Sequence, residues 1–255
     1  MDSRRFSIPE LNIEQIIEQS KNLVENLQSV NLTNTELAKY IDHTLLKPDA
    51  KQEDILKHCK EAIEYGFYSV CVNPVWVEFC FNQLKSTNVK VCSVVGFPLG
   101  SNKTEIKLRE TEMAISDGAE EIDMVINVGK LKSKDYEYVL NDIKNLADLT
   151  KRFNSKLKVI IETCLLTDEE KVIASAICKQ AGADFVKTST GFSTGGANLF
   201  DVTLMKIAAD GLEIKASGGI KSKSDALKFI AAGATRLGTS SGVKIINDET
   251  ISSDY

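Results

Sequence analysis

Eight runs of β-forming residues punctuate this chain, and the stretches between them carry helical spacing. The runs read KYIDHTLL, FYSVCVN, KVCSVVGF, EIDMVINV, LKVIIET, DFVKTST, EIKASGG and TRLGTSS. Helical periodicity is clear in KQEDILKHCKEAIEYG, with Ile55 and Ile63, and in SDALKFIAAG, with Leu227, Phe229 and Ile230. Strands that alternate with helices are parallel and joined by crossovers. A repeat in register supports the same plan. Gly66 precedes Cys71 by five residues, Gly118 precedes Asp123, Gly182 precedes Lys187 and Gly233 precedes Gly238, while Gly211 precedes Lys215 by four. Each glycine fits a left-handed helix C-cap, and the residue that follows at this distance falls near a strand's carboxyl end.

Eight such units predict an α/β protein built as a single (β/α)8 TIM barrel, whose strand ends gather at one mouth. An open, doubly wound sheet is the alternative. A length of 255 residues accommodates either. The first 34 residues precede strand one. Within them IEQIIEQSKNLVENL spaces Ile13, Ile16, Ile17, Val24 and Leu27 helically, predicting an extra helix on the body or at an oligomer contact. TNTE, Thr33 to Glu36, has capping-box spacing. The division expected is an N-terminal helical extension over 1–34 and a barrel over 35–255.

A formal net charge of −5 with no basic block argues against nucleic acid as a partner and for a small molecule. No apolar run reaches the ~20 residues of a membrane span, and MDSRRFSIPE lacks a signal peptide's apolar segment, so a cytoplasmic protein is expected. The six cysteines, Cys59, Cys71, Cys80, Cys92, Cys164 and Cys178, form no CxxC pair and read as reduced thiols. The only histidines, His43 and His58, belong to no zinc-type cluster in sequence, so no histidine-based metal centre is expected.

Two strand ends read almost alike, VKTSTG (186–191) and IKASGG (214–219), each placing a lysine, a small residue, a serine and a glycine at the mouth. On adjacent strands ~4.8 Å apart, the ammonium groups of Lys187 and Lys215 would repel. Repulsion and partial burial lower a lysine pKa and free an amine for Schiff-base chemistry on a carbonyl. The bland alternative is a pair of solvated or salt-bridged lysines. Asp123 and Asp42 add carboxylates at other strand ends, to pair with the lysines or to relay protons. SGGIKS (217–222) and LGTSSG (237–242) follow strands seven and eight, where such barrels hold phosphate on backbone amides. Gly218, Gly219 and Gly238 would let the backbone approach an anion, Ser240 and Ser241 would donate hydroxyls, and Lys221 would add charge.

Taken in order, YIDHTLLKPDA, CVNP, EIDMVINVG, FVKTSTGF, IKASGGI and LGTSSG resemble the deoxyribose-phosphate aldolase family, from Tyr40 to Gly242. The resemblance implies a class I aldolase without cofactor or metal, cleaving 2-deoxy-D-ribose 5-phosphate reversibly to acetaldehyde and D-glyceraldehyde 3-phosphate, and a homodimer. It implies that Lys187 forms the Schiff base, that Lys215 perturbs it and that Asp123 serves proton transfer with a bound water. It places Asp42 and Thr44 in support of catalysis and substrate. Gly191, Gly218, Gly219, Gly238, Ser240 and Ser241 fall at the phosphate. Cys71 lies near the substrate aldehyde, with a buried structural thiol as the other reading, and Tyr255 is a candidate to reach the site from the C-terminus. An isomerase or another imine-forming lyase acting on a different sugar phosphate, or a barrel that binds a phosphorylated metabolite without turnover, are the competing functions.

Overall fold

The computed structural model describes residues 12–249. Its eight strands are β1 Ile41–Leu45, β2 Ser69–Val72, β3 Lys90–Val95, β4 Glu121–Val125, β5 Lys156–Ile160, β6 Phe185–Lys187, β7 Glu213–Ser217 and β8 Arg236–Thr239. All pair in parallel and in sequence order, and β1 closes on β8 through Asp42 opposite Gly238. That closing pair settles the topology as a barrel, since an open sheet would leave β1 and β8 apart.

The helices are α1 Ile13–Glu25, α2 Asn34–Ala38, α3 Gln52–Tyr65, α4 Val77–Leu84, α5 Thr104–Ser116, α6 Val128–Lys132, α7 Tyr136–Arg152, α8 Asp168–Ala181, α9 Leu199–Ala208, α10 Lys223–Ala231 and α11 Gly242–Ile246. Local sequence sets their ends. Thr33 caps α2 and Thr167 caps α8, each in a reciprocal box with the glutamate three residues on. Gly66 and Gly182 end α3 and α8 at φ 66° and 80°, where a side chain would clash, and the chain then turns directly into β2 and β6.

Alternation along each strand divides its residues between two environments. One set, including Ile41, Val70, Val91, Ile122, Met124, Leu157, Val159, Val186, Ile214 and Leu237, packs outward against the helices in one continuous apolar core. The other set points into the barrel. There the usual branched aliphatic filling is replaced by charge on most strands, with a small apolar cluster of Leu46, Cys71, Cys92, Val94 and Phe97 on the β2–β3 side.

Helix α1 lies on the outside of α8 and α9, setting Ile13, Ile16 and Ile17 against Val172, Leu204, Ala208 and Phe200. It stops at Glu25, where the Asn26 amide closes back on Asn22 and Leu23, so Leu27 falls beyond the helix rather than within it. A second buried device joins the outer helices: Lys107 of α5 meets Asp142 of α7 at 2.6 Å with both side chains fully buried, and donates to the Val125 carbonyl at the end of β4. No helix among the described residues is long and apolar enough to cross a membrane.

Candidate active site

Lys187 ends β6 and Lys215 is its register partner on β7, so the two amines rise side by side into the barrel. Both donate to the same oxygen, Asp123 Oδ2, at 2.7 Å. Lys215 also meets Asp42 Oδ2 at 2.5 Å. Repulsion between the lysines is therefore answered by carboxylates, and the expectation of a lowered lysine pKa fails for Lys215. Burial alone would lower its pKa, but Asp123 and Asp42 outweigh burial and raise it above the ordinary lysine value. Lys215 stays an ammonium. Lys187 differs in having one carboxylate partner and 3% exposure, against 0% for Lys215.

Three further charges inside the barrel escape a sequence reading. Lys158 of β5 contacts Glu121 Oε2 at 2.6 Å and Asp123 Oδ1 at 2.9 Å. Arg236 of β8 contacts Asp42 Oδ1 at 2.8 Å and Glu121 Oε2 at 3.0 Å, and lies 3.4 Å from the Tyr68 ring centroid. Ser69 of β2 donates to Asp42 Oδ1 at 2.7 Å, and the Cys92 thiol of β3 donates to Asp123 Oδ1 at 3.1 Å. Every strand thus contributes to one network, in which four cations face three carboxylates. Burial would push the Asp123 carboxyl up, but Lys158, Lys187 and Lys215 hold it well below the usual carboxylate range. Asp42 is likewise held down, by Lys215, Arg236 and Lys158 against its burial. Both carboxylates rest ionised at neutral pH, as counter-ions to the buried cations. The signal that could have found the missing charges is phase: Lys158, Glu121 and Arg236 fall on the same alternation as the residues already singled out on their strands or on neighbouring ones.

The loop after β6 is held by a residue that the sequence did not flag. Glu162, just past β5, adopts a left-handed backbone (φ 55°) and is buried. Its carboxylate accepts from the Thr190 amide at 3.2 Å and the Thr190 hydroxyl at 2.5 Å. Thr190 in turn accepts from the Phe192 amide at 3.0 Å, which fixes the backbone on both sides of Gly191. A non-glycine residue in this region persists only where its surroundings over-determine it, as these bonds do.

Glycines bring the mouth loops together. A Cβ on Gly218 would lie 3.0 Å from the Gly196 Cα and 3.7 Å from the Gly191 Cα, so three backbones converge above β6 and β7. Gly219 follows with φ 79° and is exposed. Gly238 sits lower, within β8, where a Cβ would fall 2.4 Å from Ser217 Oγ and 3.0 Å from Lys215 Cε; its bareness makes room for the lysine. Ser189 Oγ and Ser217 Oγ, the hydroxyls of the paired motifs, are buried without a hydrogen-bond partner. Thr44 is half-buried and donates to the Asp42 carbonyl, with Cys71 opposite in register. Ser241 precedes α11 and is half-buried, while Lys221 is exposed. Ser240 is exposed and lines a cavity of about 450 Å³ with His43, Thr44, His58 and Glu61. Tyr255 lies outside the described residues.

In that cavity the two histidines, far apart in sequence, come together. His43 and His58 are stacked, with ring centroids 3.8 Å apart, and Glu61 accepts from His43 Nε2 at 2.9 Å. The three form a cluster that their spacing in sequence conceals. His58 Nε2 donates to the His43 carbonyl, and burial, with His43 beside it, depresses its pKa to about 3, so the ring is neutral. The near-parallel stack, at 15°, aims the in-plane lone pairs alongside one another rather than at one point. A second cavity, of about 600 Å³, lies between residues 27–31 and α10 and includes none of the lysines of the network.

Comparison with known proteins agrees with this architecture. A family model described as DeoC/LacD family aldolase matches residues 36–247. A deoxyribose-phosphate aldolase of Streptococcus sanguinis (strain SK36) is 58% identical over 221 residues, covering 86% of this chain and 100% of the relative. Another, of Thermococcus kodakarensis (strain ATCC BAA-918 / JCM 12380 / KOD1), is 57% identical over 218 residues, covering 84% and 97%. Among solved structures, the deoxyribose phosphate aldolase of Aeropyrum pernix superposes with a TM-score of 0.80 at 35% identity, over 92% of this chain and 96% of that one. The Aeropyrum pernix protein is described as a unique tetramer, so a dimer is not a fixed property of these relatives.

Proposed function

The chain belongs to the DeoC/LacD family of aldolases, and from that premise we propose that it cleaves 2-deoxy-D-ribose 5-phosphate to acetaldehyde and D-glyceraldehyde 3-phosphate through an imine on Lys187. The observation that carries the mechanism is the shared oxygen: Asp123 Oδ2 receives both lysines, yet only Lys215 has a second carboxylate to hold it as a cation. Lys187 is the amine left to react.

In this reading the uncharged Lys187 amine attacks the C1 aldehyde, and loss of water gives a protonated imine. A five-carbon sugar that yields a two-carbon and a three-carbon aldehyde must open at C2–C3, not at C3–C4. The imine accepts the electron pair of that bond, the C3 hydroxyl loses its proton, and an enamine of acetaldehyde remains on Lys187. Asp123, anionic and in contact with Lys187, takes and returns protons through a bound water. Lys215 supplies the permanent positive charge beside the reacting nitrogen. Gly191, Gly218 and Gly219 receive the phosphate on backbone amides, Ser240 and Ser241 complete that end, and Thr44, Asp42 and Cys71 border the aldehyde end.

The test is intact mass and peptide mapping after incubation with 2-deoxyribose 5-phosphate and borohydride. A reduced adduct on Lys187, absent in Lys187→Ala, is expected. An adduct that survives in Lys187→Ala and disappears in Lys215→Ala would reverse the two roles, and turnover without any adduct would favour an isomerase-like reading. In the same assay Asp123→Asn is expected to slow deuterium exchange into the acetaldehyde methyl by about 100-fold or more, the lower range for loss of a positioned acid–base group; unchanged exchange would remove Asp123 from proton transfer. A homo-oligomer goes with this reading, and a monomer mass in light scattering would exclude it.

A further inference from the structure

The barrel interior also holds a pair of thiols that this mechanism does not use as a pair. Cys71 on β2 and Cys92 on β3 are register partners, both fully buried and on the same inward face. Their sulfurs and an Asp123 carboxylate oxygen all lie within 4.8 Å of one another. Adjacent strands stand ~4.8 Å apart, within the range of Cα separations, about 4.4–6.8 Å, that disulfides span. The remaining cysteines lie outside the barrel, Cys59 on α3, Cys80 on α4, Cys178 on α8 and Cys164 in the turn after β5.

The two thiols differ in character. The Cys92 thiol beside Cys71, with help from Lys215 and Lys187, outweighs burial and holds the Cys71 pKa below the ordinary thiol value. Burial, with Cys71 and Asp123 adjoining, pushes Cys92 well above it. Cys92 is already engaged by Asp123 and Lys158, which leaves Cys71 as the attacking sulfur and Cys92 as the resolving one.

We propose that Cys71 and Cys92 form an oxidisable dithiol inside the barrel, which a hydroperoxide closes to a disulfide and which then reversibly blocks imine formation at Lys187. The Cys71 sulfur attacks one peroxide oxygen, the O–O bond breaks, and a sulfenic acid and one water result. The Cys92 sulfur then displaces hydroxide from the sulfenic sulfur, and that hydroxide leaves as a second water with the Cys92 proton. Overall two thiols lose two electrons and two protons, and hydrogen peroxide is reduced to two waters. The consequence for the site follows from the Cys92 bonds. Its thiol now donates to Asp123 Oδ1 at 3.1 Å and receives Lys158 Nζ at 3.3 Å. A disulfide sulfur has no proton to donate and is drawn to within about 2.05 Å of the other sulfur. Asp123, which holds Lys187, thereby loses a partner. The blocking step rests on the proposed function, whereas formation of the bond does not.

The experiment treats the purified protein with hydrogen peroxide, caps free thiols with N-ethylmaleimide and digests it with trypsin without reductant. The expected product joins peptide 61–85 to peptide 91–103, two hydrogens lighter than the separate pair, with fragmentation placing the link at Cys71 and Cys92. Cleavage activity and borohydride trapping should fall together by at least about tenfold and return with dithiothreitol, as a disulfide requires. Cys59→Ala, outside the barrel, should behave like the wild type. Cys92→Ala should give no linked peptide and leave a Cys71 sulfenic acid that dimedone traps at limiting peroxide, while excess peroxide carries that sulfur on to a sulfinic acid that dithiothreitol does not reduce, because Cys71 then has no resolving partner. Absence of the linked peptide from oxidised protein would overturn the dithiol, and full activity in the linked form would overturn the block. Should Cys92→Ala fail to fold, the wild-type map and its reversal by dithiothreitol decide alone. A protein inactive before treatment would count against the proposed function, while the linked peptide would still judge the disulfide.

Discussion

Gly238 shows how much one missing atom can matter. The space beside it is taken by Ser217 Oγ and by the Lys215 stem, at 2.4 Å and 3.0 Å from where a Cβ would sit. Gly238→Ala is therefore expected to cost about 1–3 kcal/mol of stability through overpacking, and to cut kcat more than it raises KM, because it displaces a charge rather than a substrate contact. Urea unfolding and steady-state kinetics read the two effects, and a variant with wild-type kcat would show that Lys215 has room to spare. Lys187 and Lys215 were legible in the sequence because they head two matching motifs, each with a serine two residues on and a glycine soon after, and Asp123 and Asp42 because each is a carboxylate within a strand-forming run. Lys158, Glu121 and Arg236 were not. Glu121 and Arg236 open their strands and Lys158 sits between apolar residues of β5, positions at which a charge in an open strand is an ordinary solvated residue. Closure of the barrel turns that face inward.

At the level of elements, β1 and α3 are joined by the stacked histidines, and this contact carries its own pH dependence. His58 titrates near 6.5 when unfolded and near 3 in the fold. Between those values the unfolded chain binds a proton that the folded one does not, so stability is full above pH 6.5 and falls as pH drops towards 3. The slope is up to about 1.4 kcal/mol per pH unit, or about 2 kcal/mol between pH 7 and pH 5. The lowered carboxylates Asp42 and Asp123 add their own loss mainly below their unfolded pKa of about 3.9, so the interval from pH 7 to pH 5 reports on His58. Urea unfolding at pH 7 and pH 5 should show the difference in the wild type and a smaller one in His58→Asn; equal differences would assign it elsewhere. The order of strands and helices was readable because eight units repeat one pattern. The histidine contact was not, since a strand residue and a helix residue fifteen positions apart share no periodicity.

Across the whole molecule, the interior charges divide by position along the chain. The three carboxylates, Asp42, Glu121 and Asp123, come from β1 and β4, and the four cations, Lys158, Lys187, Lys215 and Arg236, come one each from β5 to β8. The N-terminal half of the barrel is thus wholly acidic inside and the C-terminal half wholly basic. Neither half can shelter its own charge, and an uncompensated buried ion costs about 3–5 kcal/mol. A chain cut in the exposed turn at residues 153–154, ahead of β5, should give two fragments that are poorly folded alone and that associate on mixing, regaining cleavage activity. Neutralising both Asp42 and Asp123 in the first fragment should abolish the association, and fragments that fold separately would refute the idea. The same ion pairs that prepare a lysine for chemistry would then serve as the latch by which two half-barrels recognise each other.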